Sequence, residues 1–112
     1  MSTLRASVTA GQSGPVVVLS GEADMSTAAQ LSDLITTQLS AGTRSLTLDV
    51  SGLRFMDSMS TRIMVLAAKT LSERGGGLVL LRPQPAIART LALMGADQML
   101  TVRGEPDTAA EP

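Results

Sequence analysis

Between Ser45 and Arg62, SLTLDVSGLRFMDSMSTR, the spacing of the apolar residues changes period. Leu46, Leu48 and Val50 alternate, as in a strand with one buried face. Ser51-Gly52 reads as a short turn, and the apolar pair Phe55-Met56 precedes Asp57-Ser58. From there Ile63, Ala67 and Leu71 recur at helical intervals, which predicts a helix from about Met59 to Arg74. Gly75-Gly76-Gly77 stops it, and Leu78-Val-Leu-Leu81 follows as another strand. A strand that hands over to a helix and then to a second strand calls for a sheet with helices packed on it.

The rest of the chain extends that pattern. Residues 4–8 alternate weakly and predict a first strand, and Gly11-Gln-Ser-Gly14-Pro15 predicts a hairpin connection. Val16-Val17-Val18-Leu19 is a β-branched run suited to a central strand, ended by a loop at Gly21-Glu-Ala-Asp24. Ser26 or Thr27 is placed to cap a helix carrying Ala28, Leu31, Leu34, Ile35 and Leu39, stopped by Gly42. Pro83 and Pro85 introduce a short third helix with Ile87, Leu91 and Met94 on one face. Gly95 ends it, and Leu100-Thr-Val102 adds a last strand. The expected order is β-β-α-β-α-β-α-β, an α/β fold with a mixed sheet of four to five strands. The Met residues 56, 64, 94 and 99 are expected in the core by spacing. Residues 1–103 are expected to form one domain, and 104–112, rich in Pro, Ala and acids, a disordered acidic tail.

Composition removes several functions. The chain has no Cys and no His. Disulfides, Cys/His metal sites, Cys nucleophiles and Ser-His-Asp triads are therefore excluded. Gly75–Gly77 lacks the Lys-Ser/Thr of a phosphate-binding loop, so an enzyme is not expected and no cofactor is called for. Phe55 is the only aromatic residue, so the core must be aliphatic, and base stacking is unavailable. Net charge is −1, with nine bases against seven acids up to residue 103, which argues against a nucleic-acid or membrane partner. Residues 1–10 are polar and alternating, and no apolar run approaches a membrane span, so a cytoplasmic protein is expected.

Two loops draw attention. Gly21–Ser26 and Asp57–Thr61 both follow strands, and parallel neighbouring strands would bring them together at the carboxyl edge of the sheet. Ser58 sits where a helix begins, as an N-cap or as a modifiable hydroxyl beside free backbone N–H groups. Asp57 is a strand-end acid or a group that helps set Ser58 for phosphoryl transfer. Asp24 and Asp57 together, without a third ligand, make a poor metal site, and none is expected. Arg62 is a solvated cation or one that holds a phosphate or meets an acidic partner. Met25 and Met59 fall in the two loops and are expected to be exposed contact residues.

These segments resemble the STAS domain of bacterial anti-sigma factor antagonists over roughly residues 4–103. The residues that carry the likeness are Gly21-Glu22-Ala23-Asp24, then Phe55-Met56-Asp57-Ser58, then Gly75-Gly76, with matching spacing between them. The resemblance implies that Ser58 is the phosphate acceptor. It implies a serine-kinase anti-sigma factor of the histidine-kinase-like ATPase fold as partner, and a serine phosphatase that resets the cycle. It also implies a role in transcription regulation of the stress-response kind. The contact surface it implies comprises Gly21, Glu22, Asp24, Met25, Thr27, Asp57, Ser58, Met59, Ser60, Thr61 and Arg62. The family's Ser/Thr-Gly-Leu-Gly is Met59-Ser60-Thr61-Arg62 here, and Ser60 and Arg62 are expected to crowd a partner's approach. The alternative is a STAS interaction subunit of a lipid-trafficking ABC transporter or of a larger signalling assembly, without phosphorylation.

Overall fold

Gly11 N–H bonds Gly14 O at 2.9 Å and turns β1 (Leu4–Ala10) back antiparallel onto β2 (Pro15–Ala23). This computed structural model describes residues 2–104, so the expected tail beyond Gly104 lies outside the described residues. After β2 come α1 (Ala28–Ser40), β3 (Ser45–Met56), α2 (Ser58–Glu73), β4 (Gly77–Leu81) and α3 (Pro85–Leu93). A 3-10 turn at Ala96–Gln98 then leads to β5 (Thr101–Arg103). The five strands lie in chain order, and β2 through β5 are parallel. Each crossover steps the same way, so right-handed connections set all three helices on one face of the sheet.

That face is the core. Val17 and Leu19 of β2, Leu46, Leu48 and Val50 of β3, and Leu78 and Leu80 of β4 are buried. Leu31 and Ile35 of α1, Met64, Ala67 and Leu71 of α2, and Ile87 and Leu91 of α3 pack against them. The core is aliphatic, as the lack of aromatics requires. Of the methionines expected inside, Met56 and Met64 are buried, but Met94 and Met99 are exposed. Spacing alone misplaces them, because α3 ends at Leu93 and both Met94 and Met99 are the residues that close a helical turn, outside the periodic segment.

Both strands that lead to the site are longer than expected. The residues Gly21–Ala23 extend β2 rather than forming a loop, and Ser51-Gly52 is not a turn: β3 runs on to Met56. The sheet absorbs Ser51-Gly52 through register shifts. Val18 pairs with Asp49 but Ser20 with Gly52, and Gly21 pairs with Leu53 but Glu22 with Phe55. Each shift adds a residue to β3, so its buried positions run Val50, Leu53, Met56 instead of alternating. Phe55 is thereby turned outward.

The C-terminus of α2 is closed by the glycines. Gly76 N–H bonds Leu71 O at 3.0 Å and Gly75 N–H bonds Ser72 O at 3.0 Å, with Gly75 at φ 86°. This is the Schellman arrangement, which needs a residue free to adopt a left-handed conformation.

Candidate functional site

The carboxyl ends of β2 and β3 meet at the site. Ala23 is in register with Met56, and Asp57 N–H bonds Ala23 O at 3.0 Å. The two loops expected to converge do so. Asp24, Met25, Ser26, Phe55 and Asp57 line one shallow recess with Ser2.

Asp57 starts α2. Its backbone is extended, and its Oδ1 accepts Ser60 N–H at 2.8 Å. Its carbonyl accepts the Thr61 N–H at 3.0 Å and the Thr61 hydroxyl at 2.8 Å. Ser58 is therefore not the N-cap. It is the first residue of the helix, and its side chain is exposed. Thr27 is likewise no side-chain cap for α1. Its buried hydroxyl donates to Glu22 O at 2.9 Å and accepts from Asp24 N–H at 3.0 Å, which fixes the turn between β2 and α1.

The expected contact residues divide by burial. Asp57, Ser58, Met59 and Arg62 on the α2 side, and Glu22, Asp24 and Met25 on the β2 side, reach the surface. Thr27, Ser60 and Thr61 lie beneath it. Ser60 does not crowd an approaching partner, because its side chain is buried, and among the described residues its Oγ has no hydrogen-bond partner. Gly21 has φ 100° and lies so close to Thr3 O that a Cβ would collide with it. Its glycine is required by the sheet.

Three large apolar side chains are exposed on the elements that meet here, among the polar Ser2, Asp24, Ser26 and Asp57. Met25 is 81% exposed, and Met59 and Phe55 are each 51% exposed. Phe55 was not among the expected contact residues, although the lone aromatic of the chain stands two residues before Asp57. The β3 register shifts that turn it outward leave no mark on the apolar pattern.

Two acids at this edge, Glu22 and Asp24, are held below their ordinary range. Thr3 N–H and then the Arg54 guanidinium hold the Glu22 carboxyl below its ordinary range. Hydrogen bonds from the hydroxyls of Ser2 and Ser26 do the same for Asp24. Asp24 accepts from Ser2 and Ser26, and Asp57 Oδ1 from Ser60 N–H. Among the described residues no cluster of three or more potential metal ligands occurs. No helix there is long and apolar enough to cross a membrane.

A family model described as "Mlab, STAS domain" matches residues 6–102. The chain belongs to this STAS-domain family. An anti-sigma factor antagonist from Mycobacterium paratuberculosis has a similar structure, with 26% identity, a TM-score of 0.85, and coverage of 96% of this chain and 91% of that one. The antagonist SpoIIAA in its unphosphorylated form superposes with a TM-score of 0.77 at 19% identity, over 95% of this chain and 92% of its own. The phosphorylated form of the Bacillus cell fate determinant SpoIIAA gives 0.70 at 20% identity, over 96% of each chain. At these identities the SpoIIAA structures bear on the fold alone. No curated protein matches the sequence.

In this STAS domain the site brings together an exposed hydroxyl, a capping acid that holds the helix start without it, and an apolar rim.

Proposed function

We propose that the chain is an anti-sigma factor antagonist. It binds a serine-kinase anti-sigma factor of the histidine-kinase-like ATPase fold through the Ser58 edge and so releases the sigma factor. Phosphorylation of Ser58 ends the binding, and a serine phosphatase restores it. In the transfer, Ser58 Oγ forms the new O–P bond with the γ-phosphorus of ATP as the bond to the β,γ-bridging oxygen breaks and ADP departs, and the hydroxyl proton passes to a base supplied by the kinase. The chain acts as substrate and ligand, not as an enzyme. Its setting is transcription regulation in a bacterial cytoplasm.

The observation that carries this reading is the exposed Ser58 directly after Asp57, the helix cap, which itself lines a recess with the exposed Met25 and Phe55. A phosphate there adds roughly two negative charges. The helix keeps its cap, so the fold tolerates the change. A partner packed on Met25, Phe55 and Met59 would have to desolvate those charges, which is costly. The 26% identity to the mycobacterial antagonist across nearly the whole chain supports the same role.

Binding of the cognate kinase to wild type, Ser58→Ala and Ser58→Asp tests the proposal. Ser58→Ala should bind as wild type and resist inactivation by ATP, while Ser58→Asp should fold normally and lose binding. Equal binding by Ser58→Asp and wild type would overturn it.

A second reading is a STAS interaction subunit of a lipid-trafficking ABC transporter or larger signalling assembly. Two observations favour it. The matching family model is described as Mlab and not as an antagonist. A groove of about 680 Å³ runs along α2 from Thr61 and Arg62 to Glu73, and its apolar lining is Val65, Leu66, Met94 and Met99. Binding that depends on Leu66 and Met99 and is indifferent to Ser58→Asp would select this reading.

A further inference from the structure

We propose that Arg62 is the clasp of phosphorylated Ser58, a positioning residue that holds the phosphate against the outer face of α2. The proposal rests on the reading of Ser58 as the acceptor and adds how the modified state is held.

Ser58 and Arg62 are four residues apart on α2, and both are exposed. Residues at this spacing share a helix face, and helical side chains lean toward the N-terminus. From the groove along α2 that it lines with Lys69 and Glu73, Arg62 has the reach to turn back to Ser58 across one turn. Lys69, the other cation of α2, begins seven residues later, about 10 Å further along the axis, and is out of reach.

The other charges near this end of the sheet leave the task to Arg62. Arg54 is paired with Glu22, and Arg82 with Asp49 at 2.9 Å. Among the described residues Arg62 takes part in no ion pair. Asp57, the residue before the acceptor, lines a recess with Asp24, so this edge carries two acids. The helix start gives a phosphate limited help, because the N–H groups of Ser60 and Thr61 are already taken by Asp57. A phosphate on Ser58 would thus sit beside the Asp57 carboxylate, and a cation is needed to offset the repulsion. A guanidinium meets a phosphate through two parallel N–H···O bonds, which a lysine cannot do. Before modification Arg62 lies near the positive end of the helix dipole, where a cation is slightly unfavourable. After it, the same position becomes favourable.

The test uses the full chain with phosphoserine inserted at position 58 during translation, so that no kinase is required. The phosphorus resonance is followed by NMR through the second phosphate ionisation. Arg62 favours the dianion, so Arg62→Gln should raise the midpoint by about half a pH unit, the size of an exposed charge pair. Arg62→Lys should fall between the two, and Lys69→Gln should leave the midpoint in place. The differences should shrink at high salt. Unmodified Arg62→Gln should melt as wild type does, which separates a phosphate contact from a folding role. Equal midpoints for wild type and Arg62→Gln at low salt would overturn the clasp, as would an equal shift from Lys69→Gln. A kinase that fails to modify Ser58 would overturn the proposed function and leave this comparison intact.

Discussion

Asp57 Oδ1 accepts the Ser60 backbone N–H at 2.8 Å, and this bond starts α2 from the residue before Ser58. The helix is therefore anchored by a side chain that phosphorylation does not alter. Ser58 can change its charge without removing the cap.

Loss of the cap should be felt and loss of the hydroxyl should not. Asp57→Ala is expected to destabilise the protein by about 1 kcal/mol, the usual cost of removing a cap. Ser58→Ala should stay within about 0.5 kcal/mol of wild type, as exposed substitutions do. Urea unfolding followed by far-UV circular dichroism measures both, since the chain has no Trp or Tyr to report by fluorescence. A Ser58→Ala cost equal to that of Asp57→Ala would return the cap to Ser58.

Element order was legible because Leu46–Val50, Ile63–Leu71 and Leu78–Leu81 carry clear periods. The convergence of the two loops followed from parallel neighbours, and the structure has them in register at Ala23 and Met56. What the residues did not show was set by long-range pairing. Ser51-Gly52 is as suitable for a register shift as for a turn, and only the match to β2 selects the former. Asp57 and Ser58 are both good caps. The choice falls to Asp57 because its N–H is held by Ala23 O, which ends the strand there. Ser60, Thr61 and Thr27 look like exposed loop hydroxyls in the sequence, yet the core-facing side of each helix start takes them inside.

Acid should weaken the fold partly through Asp49. This carboxylate lies on the sheet face opposite the core, where burial opposes its ionisation. Hydrogen bonds from Ser51 Oγ at 2.8 Å and Ser51 N–H at 3.1 Å, and from Arg82 at 2.9 Å, outweigh that and lower its pKa. A pKa lower in the folded state means that the stabilisation is present above the ordinary carboxylate range and is lost as pH falls through the folded value. Glu22 and Asp24 act in the same direction. Stability should therefore decline below about pH 4, and Asp49→Asn should make that decline shallower. An unchanged acid slope in Asp49→Asn would remove Asp49 from the explanation.

The apolar rim should matter for binding and little for folding. Met25→Ser combined with Met59→Ser is expected to weaken kinase binding by about tenfold or more, the effect of losing buried interface anchors. The melting temperature should hardly move, because both side chains are exposed in the free protein. Calorimetric titration and a thermal melt on the same samples check this. Unaltered affinity would place the interface elsewhere on the molecule.

The most direct test of the central claim is site-resolved mass spectrometry of the chain after incubation with its cognate kinase and ATP. The account predicts one phosphoryl group, on Ser58, and loss of the complex as it accumulates. A phosphate on buried Ser60 or Thr61, or a chain that binds the kinase and remains unmodified, would contradict it.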